Sequence, residues 1–325
     1  METVLAVDFG ATNLRAAVVR RDGTLLYHRQ TATGARDGVV AVIERIARLV
    51  EQVASDASLD RSVPVGIVAP GPLEPATGVV LFAPNLVGWQ HVPLRTLLEE
   101  RLGRRVVLGN DGNGAALGEV LFGAAKGCRH LVHVMLGTGV GGGVISHGQL
   151  IEGVRGLGTE IGHVSVDPTG PRCSCGGVGC IEAYIGGWAL ARDGEALVRS
   201  GRSERLRELA SDGPVTAAHV VEAARTGDNA AQAILENAAR ALAQGLAGLV
   251  NVFNPELIVL GGGVARAGEF LLDPLRRWLP VYAIHYIVEH VELRLSALGD
   301  DTGLYGAAAR AFLASEGSGA EIRLP

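Results

Sequence analysis

Short apolar runs separated by turn residues dominate the first seventy positions of the chain. Residues 4–8, 14–20 and 25–30 form three such runs, rich in β-branched residues, and an Asp22-Gly23 turn signal lies between the last two. This alternation predicts a three-stranded β-meander. Apolar residues then recur at helical spacing over residues 39–53, and a buried strand is expected over residues 63–68.

Glycine-rich turns divide the later predicted elements. A Pro/Gly-rich loop at residues 69–75 is followed by a strand at 106–108 and by an alanine-rich helix that runs to about Phe122. A strand at 131–136, a glycine-rich turn and a strand at 144–146 then repeat the opening strand–turn–strand pattern. The repetition predicts a duplicated architecture whose halves face each other across a cleft. The remaining predicted elements are helices near 181–192, 217–224, 229–253 and 303–314 and a strand at 257–260.

The length of the chain, 325 residues with 48% hydrophobic content, suits two domains of an α/β enzyme. No low-complexity linker separates the elements, so we expect domains that share a hinge. We expect a small α/β domain at residues 1–112, completed by a C-terminal helix at about 302–325. A large α/β domain would take residues 113–301 and include a metal-binding segment at 160–182.

The charge and hydropathy of the chain disfavour several classes of partner. The net charge is −5 and the pI about 6.0, and no basic tract is available for nucleic acid or an anionic membrane. The first residues look like a strand and lack the features of a secretory signal. No segment reaches the roughly 18 uncharged apolar residues that span a bilayer. We therefore expect a soluble cytoplasmic protein.

Two glycine turns between strands are candidates for phosphate binding. In Asp8-Phe-Gly-Ala-Thr-Asn13, glycine lets backbone N–H groups approach phosphate oxygens, and Asp8 could hold Mg²⁺ directly or through water. An ordinary hairpin with Asp8 capping the turn is the alternative. Leu136-Gly-Thr-Gly-Val-Gly-Gly-Gly143 lacks the ending of a Walker loop and the helix of a dinucleotide fingerprint. It can still cradle phosphate through backbone N–H groups and Thr138, or it can be a tight β-bulge.

Two further positions at strand ends carry candidate chemistry. Gly261-Gly262-Gly263 follows an apolar strand, where bare backbone suits a flat adenine or ribose, although helix capping would explain the same glycines. Asp111 lies at a strand-to-helix junction, where a carboxylate is ionised and oriented toward open space. It is therefore a candidate base for phosphoryl transfer to a hydroxyl. Its alternative role is the helix N-cap, which the adjacent Asn110 could fill instead.

The cysteines of the chain are clustered. Cys173, Cys175 and Cys180 lie within eight positions, whereas Cys128 stands apart. In a reducing compartment such clustering favours a metal over disulfides. With His163 the three make a His–Cys₃ set, which fits tetrahedral Zn²⁺ with no open coordination position. The sequence therefore predicts a structural zinc, with reduced, buried thiols as the alternative.

Six segments carry a further signal: Asp8-Phe-Gly-Ala-Thr-Asn, Asn110-Asp-Gly-Asn, Leu136-Gly-Thr-Gly-Val-Gly-Gly-Gly, Glu160-Ile-Gly-His-Val, Cys173-Ser-Cys-Gly-Gly-Val-Gly-Cys180-Ile-Glu182 and Val259-Leu-Gly-Gly-Gly-Val264. In this order they resemble the motifs of the ROK family, which comprises sugar kinases and related repressors. The resemblance implies the α/β actin-like ATPase fold of hexokinases, with ATP and sugar bound in a cleft between two domains. Two departures are small residues in place of glycine, Ala11 and Ser174.

The resemblance also implies which residues serve each ligand. Asp111 would be the catalytic base, and His163 would bind zinc through one ring nitrogen and the sugar through the other. The sugar would contact Gly71, Asn85, Asn110, Asp111, Glu160, His163 and Glu182. Mg-ATP would contact Asp8, Gly10, Thr12, Asn13, Gly137, Thr138, Gly139, Gly261, Gly262 and Gly263.

The activity expected from this resemblance is ATP-dependent phosphorylation of glucose at the 6-hydroxyl. Alternatives are a kinase for fructose, mannose or an N-acetylhexosamine, or a sugar sensor without catalysis. The DNA-binding branch of the family is disfavoured, because the first strand begins at residue 3 and leaves no room for a helix-turn-helix domain, and because the chain is acidic. The family resemblance also suggests a homo-oligomer, either a dimer or a tetramer.

Overall fold

A computed structural model describes residues 2–211 and 213–316 of the chain. The described residues fall into two compact units, the first with residues 2–129, 143–159 and 297–316 and the second with residues 130–142 and 160–296. Residues 317–325 of the predicted C-terminal helix lie outside the described residues. The domain bounds expected from the sequence stay a prediction, because a compact unit need not be an independently folding domain.

The described residues form mixed α and β structure throughout. The strands are β1 (Thr3–Phe9), β2 (Asn13–Arg20), β3 (Leu25–Ala32), β4 (Val65–Ala69), β5 (Leu73–Glu74), β6 (Val79–Phe82), β7 (Gln90–Val92), β8 (Val106–Asn110), β9 (Leu131–Leu136), β10 (Val140–Ser146), β11 (Gln149–Leu150), β12 (Leu257–Gly261) and β13 (Glu292–Leu295). The helices are α1 (Val39–Asp56), α2 (Leu94–Leu102), α3 (Asp111–Phe122), α4 (Glu182–Ile185), α5 (Gly187–Arg199), α6 (Glu204–Ala210), α7 (Ala217–Arg225), α8 (Asn229–Phe253), α9 (Glu269–Tyr282), α10 (His285–Val288) and α11 (Thr302–Glu316).

The main sheet of the first unit has the strand order β3-β2-β1-β4-β8. The first three strands pair antiparallel, which confirms the predicted meander, and β4 and β8 continue the sheet parallel to β1. Asp8 is aligned with Val68 of β4, and Val68 with Gly109 of β8. Asp8 and Gly109 are therefore two strand spacings, about 10 Å, apart at one edge of the sheet. This edge carries both the first glycine turn and the start of α3.

Opposite faces of this sheet bury different helices, as the two-residue period of a strand requires. Leu5, Val7 and Phe9 of β1 pack in one core with the apolar residues of α1. Val4 and Ala6 pack on the other face with α11. The same face of the sheet supports α3. A Cβ on Gly306 of α11 would overlap the Gly114 backbone of α3, and a Cβ on Gly118 would crowd the Gly306 backbone. These glycines of α3 and α11 therefore allow the two helices to pack closely.

The second sheet has the strand order β11-β10-β9-β12-β13. Strand β12 pairs parallel with both β9 and β13, whereas β10 and β11 form an antiparallel hairpin. A small third sheet in the first unit has the order β5-β6-β7. The turn between β9 and β10 is the second glycine turn, so its predicted strand–turn–strand setting is confirmed.

The helices of the second unit follow local capping signals. Asp228 caps the 25-residue helix α8 by accepting hydrogen bonds from Ala230 N–H at 2.8 Å and Ala231 N–H at 3.1 Å. The bounds of α8 are those predicted from its apolar periodicity. The helix predicted at 181–192 is instead divided, because α4 ends at Ile185 and α5 begins at Gly187. Within the described residues, no helix combines the length and apolarity needed to cross a membrane.

Candidate active site

Asp8 lies at the end of β1, beside a cation and a helix start. Its partner across the strand pair is Arg15, whose Nη1 is 3.9 Å from Asp8 Oδ2. Gly303, in the first turn of α11, lies so close that a Cβ there would overlap the Asp8 carboxylate. Burial raises the pKa of Asp8, Arg15 opposes that shift, and Asp301 adds to it. The site is therefore one in which an ionised carboxylate benefits from a nearby cation.

The turn after Asp8 is held by one buried hydroxyl residue, Thr33. Gly10 N–H donates to Asn13 O at 3.0 Å and closes the turn. Thr33 is fully buried, and it donates its hydroxyl to Gly10 O at 2.6 Å and its N–H to Thr12 O at 2.9 Å. The turn is thus fixed from the protein side, and the Thr12 side chain is exposed.

Asn110, at the junction of β8 and α3, is the N-cap of that helix. Its Oδ1 accepts from Asn113 N–H at 3.1 Å, and its Nδ2 is 3.5 Å from Gly71 O. Asp111 follows in the first helical turn, exposed, with Oδ1 accepting from Gly112 N–H at 2.8 Å. The sequence left Asn110 and Asp111 as alternative caps, and in the structure the cap is Asn110. Asp111 therefore lies at the positive end of the α3 helix dipole.

The loop that carries Asn85 is anchored by an aromatic pair. Trp89 is 1% exposed, and its ring centroid lies 4.9 Å from that of Phe9, the residue after Asp8. Gly71 has φ +82, and a Cβ there would overlap Phe82 O, so this position requires glycine. Asn85 itself is exposed. The buried Phe9–Trp89 ring pair therefore anchors the loop that carries the exposed Asn85 amide.

Thr159 connects α3 to the segment that precedes Glu160. Its hydroxyl is 2.9 Å from Asn113 Oδ1, and Asn113 is buried. Thr159 has φ +63, a left-handed conformation that is rare for a β-branched residue. A strained residue of this kind persists only where surrounding contacts hold it.

Glu160 and His163 bracket a single 3₁₀ turn of the second unit, Ile161–His163. His163 N–H donates to Glu160 O at 3.0 Å. Partial burial raises the pKa of Glu160, His163 opposes that shift, and the Glu182 carboxylate adds to it. The structure thus brings Glu160 near both His163 and Glu182.

Glu182 is a buried carboxylate that joins three segments of the second unit. Its Oε2 accepts from Val140 N–H at 2.9 Å, and its Oε1 accepts from Ser174 Oγ at 2.9 Å and from Trp188 Nε1 at 3.2 Å. Gly139 lies against Oε2 so closely that a Cβ would overlap it. Glu182 therefore fixes the second glycine turn to the cysteine segment. Ser174, which departs from the family pattern, supplies one of its hydrogen bonds.

The second glycine turn also supports the start of α5. Gly187 N–H donates to Gly137 O at 2.9 Å, and Trp188 N–H donates to Thr138 O at 3.1 Å. These two bonds satisfy donors at the helix N-terminus that would otherwise lack partners. Gly137 N–H donates to Gly139 O at 3.0 Å, and the Thr138 side chain is exposed.

His163, Cys173, Cys175 and Cys180 converge as a possible metal site, with their ligand atoms within 4.8 Å of one another. Cys175 Sγ is 3.7 Å from Cys180 Sγ, and Cys173 Sγ is 3.6 Å from His163 Nδ1. A tetrahedron with Zn–S bonds of about 2.3 Å has S···S edges of about 3.8 Å. Gly177 N–H donates to Cys175 Sγ at 3.4 Å and holds the pKa of that thiol below its usual range. The donor set and its spacing fit Zn²⁺.

The third glycine cluster, Gly261–Gly263, combines two packed glycines with one exposed glycine. Gly261 packs against the His133 ring, and Gly262, with φ +88, lies against the Leu136 carbonyl where a Cβ would overlap. Gly263 is exposed, and a Cβ there would meet no atom within 4 Å. Packing therefore explains the first two glycines, and only Gly263 presents bare backbone outward.

Several residues at these sites were not found from the sequence. Thr33, Thr159 and His133 carry no motif of their own, because a single threonine or histidine in a strand or loop resembles any other in the sequence. Gly303 follows an Asp300-Asp301 pair, a weak signal for a polar helix start. Only contacts between segments distant in sequence identify them.

The comparisons with known proteins agree with these motifs. A model of the ROK family matches residues 4–313. A glucokinase of Thermotoga maritima is 40% identical over 306 residues, which cover 94% of this chain and 96% of the relative. The crystal structure of a ROK hexokinase from Thermus thermophilus matches with a TM-score of 0.80 at 36% identity, covering 97% of this chain and 99% of the other. A ROK family glucokinase from Streptomyces griseus, in complex with glucose and AMPPNP, also matches with a TM-score of 0.80 at 36% identity, covering 94% and 98%.

Proposed function

The chain belongs to the ROK family and is a sugar kinase with the actin-like ATPase fold, and we propose that it transfers the γ-phosphoryl group of ATP to the 6-hydroxyl of glucose. Glucokinases are the relatives that support this choice, and the Streptomyces griseus enzyme in particular was crystallised with glucose and the ATP analogue AMPPNP. Asp111 is the proposed base.

The observation that carries this proposal is that Asn110, and not Asp111, caps the start of α3. Asn110 caps the helix, and the Asp111 carboxylate is exposed in the first turn beside it. In the proposed step, Asp111 accepts the proton of the 6-hydroxyl while that oxygen bonds to the γ-phosphorus. The bond from the γ-phosphorus to the β–γ bridging oxygen breaks at the same time. ADP leaves with that electron pair.

We propose that the phosphates are held by the glycine turns. Asp8, Gly10, Thr12 and Asn13 would serve at the first turn, where the Thr33 hydrogen bonds prevent loss of shape. Mg²⁺, when bound at the phosphates, would neutralise charge that develops in the transferring group. The other proposed contacts are Gly137, Thr138, Gly139, Gly261, Gly262 and Gly263. Gly263 best suits a flat base, because its backbone faces outward.

We propose that the sugar is recognised by polar groups that are already fixed by other contacts. The Asn110 amide donates to Gly71 O, and a backbone hydrogen bond from His163 N–H to Glu160 O closes the turn that carries both side chains. Fixed groups of this kind discriminate sugars because an unmatched hydroxyl leaves a polar atom unpaired. The remaining proposed contacts are Asn85, Asp111 and Glu182. Glu182 already accepts hydrogen bonds from Val140, Ser174, Trp188 and Cys173, so the sugar would compete with these donors for its carboxylate.

We propose that the His–Cys₃ cluster binds one structural Zn²⁺. The ion would hold the His163 ring through Nδ1, and the Nε2–H would then be the group that faces a ligand. Cys173, Cys175 and Cys180 complete the set. Assembly as a dimer or tetramer stays a prediction from the family resemblance.

Steady-state turnover with a panel of hexoses tests the proposed substrate. ADP release is measured with glucose, mannose, fructose and N-acetylglucosamine at matched concentrations. We expect the highest kcat/KM with glucose. A higher kcat/KM with another hexose would make that hexose the proposed substrate. ADP release that no hexose stimulates would favour a sugar sensor without catalysis.

A further inference from the structure

A cavity of about 560 Å³ lies in the first unit between the edge strand β3 and helix α1. Its walls carry Arg29, Arg45 and Arg48 together with His28, Gln30 and Gln52. Among the described residues that line it, none is a carboxylate. The volume lies within the range of small-molecule pockets.

One of the three guanidinium groups has no acidic partner. Arg29 pairs with Asp56 at 2.6 Å and Arg45 pairs with Asp37 at 2.8 Å, and both carboxylates lie outside the lining. Arg48 donates to the Glu44 carbonyl at 3.3 Å, and within residues 2–211 and 213–316 no carboxylate pairs with it. The cavity therefore presents, on the exposed side chain of Arg48, a cation that no carboxylate of the described residues neutralises.

We propose that this cavity binds a phosphorylated sugar. Guanidinium groups match the geometry of a phosphate, and Arg48 is the one whose charge is available. The amides of Gln30 and Gln52 and the hydroxyl of Thr31 offer the donors and acceptors that sugar hydroxyls require. Leu49 supplies one apolar wall.

A chain of hydrogen bonds leads from this cavity to the first glycine turn. Arg45 Nη1 donates to Thr33 O, and Thr33 in turn holds Gly10 O and Thr12 O. A phosphate that recruits Arg45 weakens its bond to Thr33 and loosens the turn. The ligand thus raises the KM for ATP, a step that rests on the proposed function.

Calorimetric titration of glucose 6-phosphate into protein saturated with glucose tests the binding. Arg48→Gln is expected to weaken binding roughly tenfold or more, the effect of losing a charge-assisted hydrogen bond. Arg207→Gln, the same change at an exposed arginine of α6, is expected to bind as the wild type. Gln52→Glu provides a second disruption if Arg48→Gln folds poorly. Unchanged affinity in the pocket variants, or equal affinity for inorganic phosphate, overturns the proposal.

ADP release at varied ATP tests the coupling. We expect glucose 6-phosphate to raise the KM for ATP in the wild type and in Arg207→Gln but not in Arg48→Gln, whose basal kcat is unchanged. Inhibition that persists in Arg48→Gln overturns the coupling. A protein that binds glucose 6-phosphate through Arg48 but releases no ADP contradicts the proposed function and leaves the binding site intact.

Discussion

At Asp8, the stability of the fold opposes the proposed role in phosphate binding. Burial raises its pKa, and Asp301 adds to the shift that Arg15 opposes. A raised pKa means that the folded state prefers the protonated carboxyl, so the ionised form lowers stability at neutral pH. The protein retains this cost at a position where a metal–phosphate ligand would remove it.

We expect Asp8→Asn to be more stable than the wild type at pH 7, because a neutral amide avoids the buried charge. The difference in urea midpoint should shrink as pH falls through the folded pKa of Asp8 and vanish below the unfolded value of 3.8. ADP release should fall about 10²-fold or more with loss of the phosphate-site carboxylate. A variant that is less stable at pH 7, or equally active, would contradict this assignment.

His133 is a buried histidine whose ring nitrogens have no hydrogen-bond partner in the described residues. Burial lowers its pKa to about 4, so it is neutral in the folded state. Because the unfolded pKa is 6.5, the stability that it contributes is complete above pH 6.5 and is lost as pH falls toward 4. The shift corresponds to about 3 kcal/mol.

Replacement of His133 by leucine should remove that acid sensitivity. We expect the loss of unfolding free energy between pH 7 and pH 4 to be about 3 kcal/mol smaller in His133→Leu than in the wild type. Urea unfolding at a series of pH values measures it. His290→Gln, at a side chain that is 80% exposed, is the control and should follow the wild-type curve. Identical pH profiles for His133→Leu and the wild type would rule out the buried neutral ring as the cause.

The junction of β8 and α3 is an element in which one cap serves both folding and the proposed sugar site. Asn110→Ala should cost about 1 kcal/mol of stability through loss of the cap, and it should raise the KM for glucose. Thr216→Ala removes the cap of α7, so a similar stability loss with unchanged KM is expected. Chemical unfolding and glucose titrations measure the two effects. Equal KM values for glucose in both variants would show that Asn110 does not contribute to sugar binding.

The cysteine segment is the second element with a specific expectation. Purified wild type should contain about one zinc per chain by metal analysis. Cys180→Ser should lose the metal and raise the KM for glucose, because His163 is then no longer held. Cys128→Ser, outside the cluster, should keep the zinc content and the KM for glucose of the wild type. A wild type without zinc that retains full activity would refute the metal site.

Elements with a strong local pattern could be predicted from the sequence, and those without one could not. Helix α8 has an aspartate cap and long apolar periodicity, and its bounds were predicted. Helix α9 was missed because Pro274 and Pro280 lie inside it, and proline usually ends a helix. Strand β13 was missed because it is only 4 residues long, Glu-Leu-Arg-Leu, and this alternation is too short to stand out from a loop.

For the molecule as a whole, the family motifs identified the actin-like ATPase fold and the sugar kinase, because they span nearly the entire chain. The supports beneath those motifs could not be predicted, since they depend on contacts across the fold. Thr33 under the first turn and the hydrogen-bond donors around Glu182 are examples. The roles of the motif residues stay proposals that rest on exposure, hydrogen bonding and resemblance.

Glucose-dependent ADP release by the wild type and by Asp111→Asn tests the central claim most directly. Asp273→Asn, at a surface aspartate of α9, is the matched control. We expect the wild type and the control to release ADP only when glucose is present. The Asp111→Asn rate should be lower by about 10² to 10⁴ while glucose still binds. An Asp111→Asn rate within a few-fold of the wild type, or wild-type release that does not depend on glucose, would contradict the account.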